Sequence, residues 1–253
     1  MSAFDSTLHK RIIGLQVRLY ACCARMQART DDEALHDLRI AIRRLRSLLR
    51  PLRKDALCAA LEQSAGALGK ASGPLRDLEV LAAELQRREQ FEAAQRRLAE
   101  RDEGYVQLLA SVSLQRLQIR LDDWPQDCRD AARDGQWQAN AKQVRRNLAR
   151  QTRKLAAALR DPEHDRHRLR LLIKRLRYCA EAWPVYSDLD SSLLRALRQA
   201  QGALGDWHDH LQWLLRVQSE ADLAPCASYW QTALLAAERR ADECLTELAR
   251  KLP

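Results

Sequence analysis

The chain has 253 residues, which is enough for one large domain or two small ones with a buried core. Its 43 Lys and Arg residues outnumber its 34 Asp and Glu residues, and the formal net charge of +9 points to a polyanionic partner. No window approaches the roughly 20 apolar residues of a membrane span, and the N-terminus lacks the apolar stretch of a signal peptide. The sequence therefore predicts a cytoplasmic protein with no membrane partner.

Glycine and proline are scarce, at 8 and 7 residues, and β-branched residues are also uncommon. This composition favours helices joined by short turns. The 7 cysteines are odd in number and form no C-x-x-C pair, so they are expected to be reduced thiols within helical cores. The composition thus predicts an all-α fold.

In the first half of the chain, apolar residues recur at steps of three and four, which is the period of amphipathic helices. Pro51 is expected to kink or restart the second helix. The predicted helices of this half cover residues 5–29, 34 to beyond 50, 54–70, 75–88 and 90–121.

Turn residues interrupt this pattern between about 122 and 136, which is the best candidate for a boundary. Beyond it, helices are predicted at 137–160 and 165–183, and two or three more follow, split near Gly205 and Pro225. The chain is therefore predicted to be a single domain, 1–253, made of two helical halves at about 5–121 and 137–251.

A basic pattern occurs once in each half. HDLRIAIRRLR at 36–46 aligns without a gap with HRLRLLIKRLR at 167–177. Gly-Ala-Leu-Gly follows at 66–69 and again at 202–205, and each copy leads to a segment that contains an Asp. Two motifs in the same order indicate a duplication and therefore two similar helical halves. We interpret the glycines as structural, because glycines three apart allow another helix to approach closely.

On a helical wheel, each copy of the basic pattern separates an apolar face from a cationic one. The cationic faces contain His36, Arg39, Arg43, Arg46 and Arg50 in the first copy, and His167, Arg170, Lys174 and Arg177 in the second. Arg44 and Arg175 lie off these faces at corresponding places. The same argument adds Arg11 and Arg18 on the first helix, which would extend the cationic surface; the alternative is that they form an ordinary solvated face.

Like charges one turn apart repel, so a face of arginines is a poor way to stabilise a helix. The planar guanidinium suits phosphate oxygens, and the pattern predicts that the two helices bind a linear, polyphosphate-like anion. Two facing copies would enclose one basic channel. The structural alternative is that the arginines pair with Asp or Glu side chains of neighbouring helices and that the histidines cap helices or bond to the backbone.

A histidine beside several arginines should lose its proton in the empty protein and regain it when a phosphate chain binds. If His36 and His167 contact the ligand, the protein is therefore expected to bind a polyanion more tightly near pH 6 than near pH 8. A structural role for both histidines would leave the affinity independent of pH.

The duplicated H-x-L-R-x-x-x-[RK]-R-L-R helix, with the A-L-G segment and Asp-containing helix that follow each copy, resembles the CHAD domain, the conserved histidine α-helical domain. The resemblance spans about residues 8–248. It implies two four-helix bundles related by a pseudo-twofold axis, with a central basic groove or pore that binds inorganic polyphosphate. It also implies an association with polyphosphate granules, and no catalysis, cofactor or metal.

The family's basic residues and histidines carry over to His36, Arg39, Arg43, Arg44 and Arg46, and to His167, Arg170, Lys174, Arg175 and Arg177. Arg11, Arg18 and Arg50 rest on the helical wheel alone. The first half departs from the second by inserting about four residues, 71–74, and this loosens the equivalence of Asp77 with Asp209. Both are left outside the predicted site. The E-x-E-x-K signature of the CYTH-type domain fused to many relatives is absent, so we expect a stand-alone binder.

Two other classes of function fit parts of the sequence. A nucleic-acid-binding protein would use the same basic helices, but single-strand binding usually adds aromatic platforms, and only Tyr178 interrupts these helices. An HD-type metal-dependent phosphohydrolase would use His36-Asp37 or His208-Asp209, with His9 as an earlier ligand. His164 with His167, or His208 with His210, could also chelate a metal.

Overall fold

The computed structural model describes residues 2–161, 163 and 165–252. Every regular element in these residues is helical and none is a strand, so the all-α prediction is confirmed. The α-helices are α1 (Ala3–Ala28), α2 (Ala34–Leu49), α3 (Ala56–Ala71), α4 (Gly73–Arg87), α5 (Phe91–Leu109), α6 (Val112–Arg133), α7 (Ala141–Leu159), α8 (Arg166–Ala182), α9 (Ser191–Val217) and α10 (Ala227–Lys251). Short 3₁₀ segments occupy Arg50–Leu52, Pro184–Tyr186 and Ala221–Cys226.

The chain divides into two compact units, Met1–Val144 and Arg145–Pro253. In the first unit, α2 packs against α1 and α3, α4 packs against α5, and α6 contacts α1 and α3. In the second unit, α9 packs against α8 and α10. The first unit thus contains six complete α-helices among its described residues, where the hydrophobic period predicted five and the family resemblance implied a four-helix bundle.

The apolar stripes read from the sequence form the cores. In α2 the buried residues include Leu38, Ile42 and Leu45, and in α8 they include Leu169 and Ile173. This burial removes the apolar face of each helix from water and leaves most of its cationic flank partly buried at the edge of the core. The cationic side chains are therefore positioned by the packing of the face beside them.

Helix boundaries follow local hydrogen bonds more closely than hydrophobic periodicity. The helix predicted at 90–121 is two helices, because Ser111 caps a new one by accepting a hydrogen bond from the backbone N–H of Leu114 at 3.3 Å. The interruption predicted between about 122 and 136 is wrong in its first part, since α6 runs through Pro125 to Arg133. Trp124 is buried beside that proline, and its indole N–H donates to His9 Nδ1 at 3.1 Å. The helix ends only at Asp134–Gly135, where Gly135 has a φ of 69°.

The split predicted near Gly205 is also wrong, because α9 continues through it. In the first unit the corresponding stretch is broken into α3 and α4 at Ser72, and Pro74 follows in the first turn of α4. The insertion at 71–74 supplies that break, and the second copy lacks it. The turn predicted at Pro225 is confirmed as the 3₁₀ segment before α10.

Six of the seven cysteines are buried and all are free thiols, as predicted for helical cores. Among the described residues, no helix has the length and apolarity needed to cross a membrane.

Candidate functional site

The first basic site surrounds α2, and we call Arg39, Arg43 and Arg76 the α2 cluster. Arg39 Nη1 donates to the carbonyl oxygen of Gly69 at 3.1 Å and to Ser72 Oγ at 2.9 Å. Burial lowers the pKa of Arg39, the positive charges of Arg43 and Arg76 act in the same direction, and the charge of Asp77 opposes them. The residues at the break between α3 and α4 therefore hold Arg39, the first arginine on the cationic face of α2.

Further along the chain, one buried carboxylate accepts hydrogen bonds from three arginines. Glu62 of α3, whose side chain is 5% exposed, accepts from Arg46 Nε at 3.0 Å and from Arg50 Nε at 3.2 Å. It also accepts from Arg53 Nε at 3.0 Å. Burial alone would raise the pKa of Glu62, but the hydrogen bonds from Arg53 and Arg46 outweigh burial and lower it. Arg46 and Arg50 thus follow the structural alternative, because an acid on a neighbouring helix holds them.

The second basic site lies between α8 and α9, and we call His167, Arg170, Lys174 and His208 the α8 cluster. The rings of His167 and His208 are 5.7 Å apart between centroids. Burial lowers the pKa of His208 to about 4, and the charges of Arg170, His167 and Lys174 contribute in the same direction. This titratable side chain is therefore neutral near pH 7, beside a group of cations.

The last basic residue of α8 is held by the protein, as its counterpart Arg46 is. Arg177 donates to Gln201 Oε1 at 2.8 Å and to Glu181 Oε1 at 2.6 Å, and its guanidinium lies 4.1 Å from the centroid of the Tyr178 ring. Its side chain is 14% exposed. Arg177 therefore helps to join α8 to α9.

The remaining predicted site residues differ in exposure. Arg44, Arg175 and Arg18 are exposed, and no ion pair holds them within the described parts of the chain. His36 and Arg11 are partly buried on α2 and α1. The structure thus brings Arg39 and Arg43 together in one unit, and His167, Arg170 and Lys174 together in the other, while Arg46, Arg50 and Arg177 are bonded to acids.

Sequence reasoning missed two members of these clusters, Arg76 and His208. Each stands directly before the Asp of the second repeated segment, Asp77 or Asp209. Each also approaches the basic helix of its own unit, because α4 or α9 carries it there. The repeated Asp segment was therefore the signal that could have found both residues.

The repeated glycines behave differently in the two units. A Cβ added at Gly69 would lie 3.3 Å from Ile42 Cγ2, so this glycine does permit the close approach of α2 and α3. A Cβ added at Gly202 or Gly205 would meet nothing within 4 Å. The structural interpretation is therefore confirmed at Gly69 and wrong for the second pair.

Two of the residues considered for an HD-type metal site have other partners. Asp37 is ion-paired to Arg25 Nη1 at 2.8 Å. The His9 ring is stacked on Trp137 and accepts a hydrogen bond from Trp124. Among the described residues, no three His, Cys, Asp or Glu side chains are grouped so as to hold a metal. His164 lies outside the described residues.

The fold and the two basic clusters define an all-α protein with cationic helix flanks in each unit. The CHAD domain family matches residues 12–218, which is most of the chain, and the protein therefore belongs to the CHAD domain family. Its fold is similar to that in the crystal structure of the CHAD domain from the plant Ricinus communis, with a TM-score of 0.74 and 23% sequence identity. That match covers 99% of this chain and 92% of the plant chain. No curated protein matches this sequence.

Proposed function

We propose that this protein binds inorganic polyphosphate through the α2 and α8 clusters and does not catalyse a reaction on it. The proposal rests on membership of a family that binds polyphosphate in general and on the cations of the two clusters. The observation that carries it is the α8 cluster, in which the rings of His167 and His208 lie 5.7 Å apart and the positive charges of Arg170 and Lys174 lie close enough to influence His208. Repulsion among such cations is relieved when a polyanion supplies the opposite charge.

Binding at these clusters is electrostatic. Arginine and lysine side chains replace the counterions of the polyanion, and the released ions make the affinity fall steeply as salt rises. Arg39, Arg43 and Arg170 supply the planar, multiple donors that phosphate oxygens accept, and Lys174 supplies a point charge. Occupation of both clusters by one polyphosphate chain, and recruitment to polyphosphate granules in the cytoplasm, are further predictions of this proposal.

The test is a titration of the purified chain with long-chain inorganic polyphosphate at near-physiological salt. We expect tight binding that weakens linearly in a plot of log affinity against log salt, and that single-stranded RNA at equal phosphate concentration does not displace. The same mixtures should release no inorganic phosphate. Absence of binding, or equal displacement by RNA, would contradict the proposal, and phosphate release would contradict its non-catalytic part.

One observation favours nucleic acid as a second candidate. Helix α7 contains no Asp or Glu along its 19 residues. Its exposed cations Arg146, Arg150, Arg153 and Lys154 have no ion-pair partner in the parts of the chain that the structure describes. Such a row fits the phosphate backbone of a nucleic acid without reading its sequence. Binding of RNA that is lost in Arg146/Arg150/Arg153→Ala, with polyphosphate binding unchanged, would establish this second function.

A further inference from the structure

His208 stands in the α8 cluster although no pattern of basic residues in the sequence marks it. It is half-buried on α9, and its ring lies 5.7 Å from that of His167 on α8. The ring of Trp207 lies 6.3 Å away and supplies an apolar side to the site. The imidazole therefore lies beside His167 and within the electrostatic influence of Arg170 and Lys174, so that a phosphate bound by this cluster would be near it.

We propose that His208 is a phosphate ligand of the α8 cluster and that it takes up a proton when the polyanion binds. This inference rests on the proposed function. It adds a residue and a regulation by pH to that site.

The charges around His208 come from three helices. Helix α8 contributes His167, Arg170 and Lys174, which all act to keep His208 neutral. On α9 itself, Asp206 and Asp209 are the nearest acids in sequence.

Helix α10 contributes Arg240, whose Nη2 lies 3.5 Å from Asp206 Oδ2 and so offsets that negative charge. The influences that shift the pKa of His208 are burial and the positive charges of Arg170, His167 and Lys174 rather than the acids on α9. That pKa is held at about 4, firstly by burial and then by the cations of α8.

A bound polyanion reverses this balance. Its negative charges cancel the repulsion from Arg170 and Lys174, so the pKa of His208 rises on binding. The neutral ring donates one hydrogen bond and the protonated ring donates two, so protonation adds a donor for the phosphate oxygens. The complex then holds more protons than the free protein, and affinity must rise as pH falls.

The affinity should depend on pH between the pKa of His208 in the free protein, about 4, and the higher pKa of the same residue in the complex. Within this pH range, the affinity should change by up to about tenfold per pH unit for one proton. Below about pH 4 the ring is already protonated without the polyanion, and the dependence should disappear.

The first unit offers a natural contrast. Arg76 precedes Asp77 as His208 precedes Asp209, and Arg76 is ion-paired to Glu79 at 2.8 Å. An arginine remains charged at all ordinary pH values. The α2 cluster therefore has a fixed charge, that of Arg76, at the place where the α8 cluster has the titratable His208. The substitution His208→Arg would give the α8 cluster a fixed charge as well.

The experiment is isothermal titration of the full chain with long-chain polyphosphate, in which few terminal phosphates titrate. Proton uptake is measured near pH 7 from two buffers of different ionisation enthalpy, and affinity is measured from about pH 5.5 to 8. The variants are His208→Gln and His208→Arg. The control is His210→Gln, because His210 lies on the same helix, its Nδ1 donates to the backbone oxygen of Asp206 at 2.7 Å, and it is not among the groups that act on His208.

We expect the wild type and His210→Gln to take up protons and to bind more tightly at low pH. His208→Gln should bind more weakly near pH 6, with a smaller slope, and His208→Arg should bind tightly with a smaller slope. An unchanged slope and proton uptake in both His208 variants would overturn this inference while leaving polyphosphate binding in place. A wild type that binds no polyphosphate at any pH would overturn the proposed function itself. Circular dichroism of each variant excludes unfolding as the cause.

Discussion

The α2 and α8 clusters contain the same basic sequence pattern but differ in the side chains that surround it. In the first unit, Ser72 and the carbonyl of Gly69 accept from Arg39, and Glu79 pairs with Arg76. In the second, burial and the charges of Arg170, His167 and Lys174 keep His208 neutral near pH 7. The first cluster is therefore built into the fold of its unit, and the second contains a side chain that responds to pH.

The difference teaches that a row of basic residues on one helix does not show which of them are available to a ligand. The partners lie on other helices, as Glu62 does for Arg46 and Arg50. The insertion at 71–74 adds another acceptor, Ser72, in the first unit alone. Two helices that share a basic pattern thus acquire different surroundings from a few residues elsewhere.

The largest expected effect comes from reversing the charge of each cluster separately, with Arg39/Arg43→Glu and Arg170/Lys174→Glu. If both clusters bind the same polyanion, each double variant should lose about 100-fold or more in affinity, because each loses two charge-assisted contacts and gains repulsion. Polyphosphate titration measures the loss. Circular dichroism and urea unfolding identify any variant that is merely unfolded.

The matched control is Arg239/Arg250→Glu, which makes the same change in net charge at exposed positions of α10. Its effect should be small, because exposed charges are screened beyond about 10 Å at ordinary salt. Loss of binding from only one of the two clusters would show that they do not share a ligand. An equal loss in the control would show that net charge alone is responsible.

A smaller effect is expected on the free energy of unfolding, which should fall more when Glu62, the buried acid of the first unit, is neutralised than when Glu181 of the second unit is. Glu62→Gln removes the charge that holds three partly exposed arginines, and should lower the free energy of unfolding by about 1–3 kcal/mol. Glu181, whose side chain is 37% exposed, also pairs with arginine, and Glu181→Gln should cost about 0.5 kcal/mol or less. Urea denaturation compares the two variants.

The pH dependence of unfolding checks the same point. Because the pKa of Glu62 is lowered, its stabilising effect is present above its ordinary value of 4.5 and is lost as pH falls through the lowered value. Glu62→Gln should therefore be less sensitive to acid than the wild type in that range. Equal costs for the Glu62 and Glu181 variants would contradict the difference drawn between the two units.

The smallest effect concerns the repeated glycines. Gly205→Ala should raise the free energy of unfolding by about 0.5–1 kcal/mol, because alanine is the better helix former and the added Cβ meets nothing within 4 Å. Gly69→Ala should gain less or lose stability, because its Cβ would lie 3.3 Å from Ile42. Thermal unfolding of both variants measures the contrast, and the same gain at both positions would show that α2 yields to the extra methyl group.

The sequence predicted the helical class and the position of most helices, because the apolar period is a local property of the chain. The family followed from the duplicated basic pattern. Two predicted breaks were wrong because the helix continues through a residue that often ends one. Pro125 lies within α6 beside the buried Trp124, and Gly205 lies within the unbroken α9.

By itself, the sequence determined which side chains lie on one flank of a helix, since the wheel fixes that arrangement. Arg39 with Arg43, and Arg170 with Lys174, follow from spacing alone. Only the tertiary structure decided which cations are held by acids and which residues join them from elsewhere. Glu62, Arg76 and His208 come from other helices, and their burial and distance to the basic flank depend on how those helices pack.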